Sequence, residues 1–160
     1  EVANAREIGG EPVADLRVRY APLRGIDVPR AMVPLAIDEF PVLFIAACCA
    51  AGETLVTGAE ELRVKESDRI QSMVDGLKAL GASIEGTPDG AVIRGGGPEF
   101  RFESGTVEAH EDHRIAMAFS VAGLLCQGRV VVNDCANVAT SFPNFVGLAR
   151  ATGFPLTVSL

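Results

Sequence analysis

The segment Lys65-Glu66-Ser67-Asp68-Arg69-Ile70-Gln71-Ser72-Met73-Val74-Asp75-Gly76-Leu77-Lys78-Ala79-Leu80-Gly81 passes from a charged run into an amphipathic stretch and stops at a glycine. Ile70, Met73, Val74, Leu77 and Leu80 recur at three- and four-residue steps and so share one face of a helix. Gly81 suits the left-handed position after a helix end. The spacing predicts a helix over Ser67 to Leu80. Downstream, Ser83-Ile84-Glu85 and Ala91-Val92-Ile93-Arg94 flank the turn residues Pro88-Asp89-Gly90 and predict a hairpin. Upstream, Asp38 to Ala51 is almost wholly apolar after Glu39 and is followed by Gly52 and a strand-like Thr54-Leu55-Val56-Thr57.

The same order then returns. Asp112 to Leu125 is apolar apart from its first three residues and Ser120, Arg129 to Val132 reads as a strand, and Thr140 to Ala151 reads as an amphipathic helix closed by Gly153. Phe154 to Leu160 reads as the start of another strand. An acidic-start apolar helix, a strand, an amphipathic helix and strands thus occur twice, about 72 to 76 residues apart, which marks an internal repeat. The repeat is of a β-α-β-α-β-β kind and places the chain in the α/β class. A helix that is apolar all round is covered on all sides, so Asp38–Ala51 and Asp112–Leu125 are expected inside. Residues 1 to 35 read as the tail of a preceding copy, with Val13 to Tyr20 alternating like a strand, and residues 36 to 160 as the last copies.

At 160 residues, 48% hydrophobic and 22% charged, the chain is globular in composition. A net charge of −7 argues against general affinity for nucleic acid or anionic membranes. No apolar run reaches the roughly 20 residues that span a bilayer. The N-terminus has neither an initiator Met nor a signal pattern, so the chain reads as an excerpt. Cys48, Cys49, Cys126 and Cys135 show no C-x-x-C spacing, which points to buried, reduced thiols in a cytoplasmic protein rather than a zinc site or disulfides.

The four helix starts are rich in polar groups: Ile37-Asp38-Glu39, Lys65-Glu66-Ser67-Asp68-Arg69, Glu111-Asp112-His113-Arg114 and Ala139-Thr140-Ser141. Helix N-termini present free N–H groups and a positive dipole end, which favour anions. Lys65, Arg69, His113 and Arg114 add cations there, and Asp38 and Glu66 add carboxylates able to move protons. Plainer roles also fit: Asp38, Asp112, Ser67-Asp68 and Thr140-Ser141 suit N-caps, and Lys65, Glu66, Asp68 and Arg69 suit a solvated ion-pair patch. Spacing alone supports binding of a small, multiply anionic molecule.

Leu62-Arg63-Val64-Lys65-Glu66-Ser67-Asp68-Arg69 resembles the signature of the 5-enolpyruvylshikimate-3-phosphate synthases. Ile37-Asp38-Glu39-Phe40-Pro41, Asp112-His113-Arg114-Ile115-Ala116-Met117, Ala139-Thr140-Ser141-Phe142-Pro143 and Val13-Ala14-Asp15-Leu16-Arg17-Val18 resemble the same family, in the same order. The resemblance covers the chain but only about the last third or more of a family member. It implies an inside-out α/β prism of β-α-β-α-β-β units, here one full unit plus parts of its neighbours. It also implies an absent N-terminal domain, with the active site in the cleft between the two domains and the complete enzyme a monomer.

The activity it implies is transfer of the enolpyruvyl group of phosphoenolpyruvate to the 5-hydroxyl of shikimate-3-phosphate, with release of phosphate and with no metal or organic cofactor. By similarity Asp38 binds shikimate-3-phosphate and accepts a proton, Lys65 contacts the same substrate near the reacting hydroxyl, and Glu66 handles the proton at the phosphoenolpyruvate methylene. Arg69 and Arg114 hold phosphoenolpyruvate and His113 is a neighbouring polar contact. Thr140 departs from the pattern, since many members carry lysine there. The Ala-Thr-Ser-Phe-Pro form resembles the class typified by glyphosate-tolerant bacterial enzymes. The competing readings are the sister transferase that acts on a UDP-sugar, which shares the architecture, and a non-catalytic anion-binding module of the same fold.

Overall fold

A computed structural model describes residues 1–159. Its elements are β1 (Val2–Ile8), β2 (Glu11–Leu16), α1 (Phe40–Cys48), β3 (Ala51–Val56), α2 (Arg69–Ala79), β4 (Ser83–Thr87), β5 (Gly90–Gly96), β6 (Gly105–Glu108), α3 (His113–Ala122), β7 (Val130–Asn133), α4 (Val138–Ser141) and α5 (Phe145–Ala151). Helix α2 forms where the apolar spacing predicts it. Asp68 caps it by accepting the Gln71 N–H at 2.9 Å. Gly81, at φ +81°, ends it: the Ala82 N–H reaches the Leu77 carbonyl and the Gly81 N–H the Lys78 carbonyl, a Schellman closure that only a left-handed residue allows.

Strands β3, β5 and β4 form an antiparallel sheet with β5 in the centre, and β6 pairs with β7 in parallel. Arg24 and Asp27 make parallel bridges to Ala51 and Leu55 of β3, as β6 does along β7. A strand-like segment, a core helix, a parallel strand and a second helix therefore occur twice, as the repeat predicts. Strands β4 and β5 complete the first of these copies. Helices α1, α2 and α3 pack on one another, with α2 also against β4 and β6, α1 against β5 and α3 against β7. Helices at the centre and strands around them make the α/β arrangement inside-out.

The core follows from this layering. Phe40, Phe44 and Ile45 of α1, Ile70, Met73 and Leu77 of α2, and Ile115 and Phe119 of α3 meet Ile84 and Ile93 of the sheet, all at most 2% exposed. Each such side chain contributes roughly 1.5–3 kcal/mol through removal of apolar surface from water.

Several local expectations need correction. The first and third helices are shorter than the apolar runs, because Ile37–Glu39 and Gly123–Leu125 wind as 3-10 turns. Helix α1 is not covered all round: Val42 and Leu43 are 37% and 43% exposed, since the described elements pack on its other sides. The fourth helix is two pieces, α4 and α5. Pro143 lacks an N–H and pushes the residue before it out of the helical region, and Phe142 lies at φ −141°, ψ 74°. Thr140 and Ser141 accordingly end α4 and cap nothing. Strand β2 stops at Leu16, four residues before the predicted end, where its partner β1 runs out at Val2. Residues 154–159 form no strand, and Leu160 lies outside the described residues. The parallel strand β6 and the first strand β1 carry no alternation that marks them in the sequence.

All four cysteines are free. Burial, with the neighbouring Cys49 thiol, pushes the Cys48 thiol up to about 12, so it is inert. Cys135, expected inside, is exposed. No described helix is long and apolar enough to cross a membrane, and no described group of three His, Cys, Asp or Glu side chains is placed to hold a metal ion.

Candidate active site

Three of the four polar helix starts meet at one end of the helical core. At their centre Arg69, the first residue of α2, is only 2% exposed. Its Nε donates to Asp112 Oδ2 at 2.7 Å, its Nη1 to Asp38 Oδ1 at 2.9 Å, and its Nη2 to Glu66 Oε2 at 2.5 Å and Asp112 Oδ1 at 3.3 Å. A guanidinium cannot shed its charge, so burying it needs this enclosure by carboxylates. The arrangement makes Arg69 the organiser of the site. It holds Asp38 and Glu66 on adjacent nitrogens of one fork.

Asp112 is fully buried and serves two purposes. As the N-cap of α3 its Oδ1 accepts the N–H groups of Arg114 at 2.9 Å and Ile115 at 3.4 Å. Its Oδ2 meets Arg69 and also the Ser67 hydroxyl at 3.0 Å. Burial pushes its carboxyl up, but the hydrogen bond and charge of Arg69, the Arg114 N–H and Ser67 outweigh this and hold it below its ordinary value. The sequence shows the capping role of Asp112 and hides the second one, because nothing local ties it to a residue 43 positions away.

Asp38 stands in the 3-10 turn before α1 and is half-buried. Burial raises its carboxyl, while the Lys65 ammonium, the Arg69 hydrogen bond and the Arg114 charge bring it below the ordinary value, so it is an anion at neutral pH. Lys65 Nζ lies 3.5 Å from Asp38 Oδ1 and 2.6 Å from Glu61 Oε1. The hydrogen bond to Glu61 raises its pKa, burial opposes this, and the Asp38 charge adds to the rise; Lys65 is a fixed positive charge. Arg114 donates from Nη1 to the Asp38 carbonyl at 2.9 Å and to Glu39 Oε1 at 2.7 Å. It lines a shallow cavity of about 170 Å³ between α1 and α3 with Asp38, Glu39, Val42, Met117 and Phe145. His113, the first residue of α3, is half-buried beside Asp112 and Arg114.

The structure therefore gathers Asp38, Lys65, Glu66, Arg69 and Arg114 into one hydrogen-bonded cluster, with His113 at its edge. The start of the fourth helix does not join it, although Phe145 reaches the cavity. Glu39, Ser67 and Asp112 stand in the quoted motifs without a site role, Ser67 and Asp112 only as candidate caps, and Glu61 lies outside them. Glu61 had a signal, being one helical turn before Lys65.

Fold and cluster together define an α/β protein with a wall of paired cations and carboxylates built on helix N-termini. The family model of EPSP synthase (3-phosphoshikimate 1-carboxyvinyltransferase) matches residues 2–148, and the chain belongs to this family. A 3-phosphoshikimate 1-carboxyvinyltransferase of Methylococcus capsulatus is 63% identical over 159 residues, covering 99% of this chain and 36% of the relative. One of Acidithiobacillus ferrooxidans is 62% identical over 154 residues, covering 96% and 35%. The solved EPSP synthase of Acinetobacter baumannii superimposes with a TM-score of 0.95 at 50% identity, over 100% of this chain and 37% of that one. The chain thus spans about a third of the length of the curated relatives it matches.

Proposed function

We propose that this chain is one wall of the active site of an enzyme that transfers the enolpyruvyl group of phosphoenolpyruvate to the 5-hydroxyl of shikimate-3-phosphate. The observation that carries the proposal is the buried Arg69 holding Asp38, Glu66 and Asp112 beside Lys65 and Arg114, in a chain of the EPSP synthase family. Residues 1 to 35 end a preceding repeat, apart from the strand-like stretch of Arg24 and Asp27 that bridges to β3 and joins residues 36 to 160 in the last repeat units; the facing wall comes from an N-terminal domain of the full-length protein, which works as a monomer. Free thiols fit a reducing cytoplasm.

Both substrates are polyanions, and their approach needs cations to offset repulsion. Arg114 gives phosphoenolpyruvate a fork once Glu39 swings away, and His113 lies beside it. Arg69 faces the same substrate only where Glu66 or Asp38 yields part of its hold, so its first task is to orient these two carboxylates. Lys65, held protonated, stabilises negative charge growing on the 5-hydroxyl oxygen. Asp38, held ionised, accepts the hydroxyl proton as the oxygen adds to C2 of phosphoenolpyruvate. Glu66 delivers a proton to C3. In the second half the C2–phosphate oxygen bond breaks, the proton on C3 returns to Glu66, and the leaving phosphate takes the proton that Asp38 accepted, so both carboxyl groups return to their starting states.

Turnover by the full-length protein tests the proposal. Phosphate release from phosphoenolpyruvate with shikimate-3-phosphate, and none with UDP-N-acetylglucosamine, is the expected result. Release with the UDP-sugar alone would overturn it in favour of the sister reaction.

A further inference from the structure

Lys65 and Glu66 sit at the exposed end of a connection that the core holds at two points. Residues 58–68 join β3 to α2 with no strand partner. Ala59 and Leu62 are buried, but Val64, next to Lys65, is 80% exposed. The connection is fastened in addition by a polar network at the tip of the β4–β5 hairpin.

Arg63 reaches that tip with its whole fork. Its Nε donates to the Pro88 carbonyl at 2.8 Å, its Nη2 to the Thr87 carbonyl at 2.6 Å, and its Nη1 to Asp68 Oδ2 at 2.7 Å. Asp68 is the N-cap of α2, one residue before Arg69, so a single side chain links the hairpin tip to the start of the helix. Asp89, in the turn itself, grips the other end. Its Oδ2 accepts the Gly58 N–H at 2.8 Å and faces Arg30 Nη2 at 3.4 Å. Its Oδ1 accepts the Thr87 hydroxyl at 3.2 Å, and its carbonyl accepts the Ala59 N–H at 2.7 Å. The Gly58 N–H, against the opposing effect of burial and with Thr87 and Arg30 in addition, holds the Asp89 carboxyl below its ordinary value, so the grip persists at neutral pH.

We propose that Arg63 and Asp89 are positioning residues: they clamp both ends of the 58–68 connection to the β4–β5 tip and thereby hold Lys65 and Glu66 in reacting geometry. The inference rests on the proposed roles of Lys65 and Glu66. A planar fork that satisfies two successive carbonyls and a carboxylate has no equivalent in lysine, which is a point charge. A shift of about 1 Å at a reacting group can cost about 10²-fold in rate, so loosening the clamp should register in kcat while the anion-binding cations stay in place.

The experiment is a mutant cycle on the full-length synthase. Arg63→Lys is expected to lower kcat about 10- to 100-fold, to change the phosphoenolpyruvate KM less than about threefold, and to leave the unfolding midpoint close to wild type. In a Lys65→Ala background the same substitution should cost at least about threefold less than in the wild type, because one of the two groups it positions is gone. Equal losses in both backgrounds, or no loss in either, would overturn the clamp. Lys65→Ala that itself leaves kcat unchanged would overturn the role of Lys65 and the clamp together, a pattern distinct from failure of the clamp alone. Where Lys65→Ala is too slow to read, or Arg63→Lys does not fold, the Asp89 pair decides. Asp89→Ala should lower kcat, and Asp89→Asn, whose amide oxygen still accepts the Gly58 N–H, should restore most of it. Equal kcat in the two, whether lowered or not, counts against the proposal.

Discussion

Asp112 uses both of its oxygens inside the protein, Oδ1 on the first turn of α3 and on Arg69, Oδ2 on Arg69 and Ser67, and Arg69 in turn has no exposed face on which to be solvated. Removal of Asp112 leaves Arg69 with only the half-exposed carboxylates of Asp38 and Glu66, and takes from its buried Nε and from the first turn of α3 their one acceptor. Asp112→Ala is expected to destabilise the fold by about 3–5 kcal/mol, the cost of breaking a buried pair, read as a fall in the denaturant midpoint. The pH dependence follows from the same pair. The folded-state pKa of Asp112 lies below its unfolded value, so the unfolded chain binds more protons and stability rises with pH. This contribution is complete above the unfolded value of about 3.9 and is lost as pH falls through the folded one. Unfolding free energies between about pH 5 and 2 should fall less steeply for Asp112→Asn than for wild type; parallel curves would contradict the assignment. Arg114 is bound more loosely. In the full-length synthase Arg114→Ala should lower kcat/KM for phosphoenolpyruvate by roughly 1.5–3 kcal/mol, and unchanged kinetics would remove it from the site. The charged residues of the site were legible because they stand at helix starts and in a recognisable motif. Their pairing was not. A charge cluster in a sequence does not say which carboxylate a buried arginine meets, and Glu39 and Asp112 show it only once α1, α2 and α3 converge.

Helix α2 crosses the core at Gly76, where a Cβ would run into the Phe119 ring of α3. Alanine is the better helix former by about 1 kcal/mol, but overpacking a tight core costs about 1–3 kcal/mol. Gly76→Ala is therefore expected to lower the thermal midpoint, and a rise would mean that α2 and α3 stand further apart. Helix α2 itself was readable end to end, since its apolar stripe, its cap and its closing glycine agree. The two apolar helices were readable in kind but not in length. Continuous apolar runs look alike whether they wind as α or 3-10, and they do not reveal which face stays open, as Val42 and Leu43 do. The break at Pro143 carried a clear local signal that the amphipathic spacing of Thr140 to Ala151 overrode. Strand β6 had no signal of its own, because its four residues owe their conformation to β7 beside them.

In the whole molecule the internal repeat explains why the site lies where it does. Two copies of a core helix, α1 and α3, run side by side and bring Asp38 and Asp112 to the same end, and α2 places Arg69 between them. The repeat was visible in the order of elements, and the inside-out layering came from the family resemblance, since periodicity alone does not say which layer faces in. Because the chain spans about a third of its relatives, the 160 residues by themselves are expected to release phosphate far more slowly than the full-length synthase. A near-normal rate would contradict a two-walled site. The central claim is that the cluster around Arg69 performs the reaction rather than only binding anions. Phosphate release by full-length Glu66→Gln, with phosphoenolpyruvate and shikimate-3-phosphate saturating, tests it most directly. Loss of a proton-transfer group predicts a kcat lower by about 10²–10⁴-fold, and a kcat equal to wild type would contradict it.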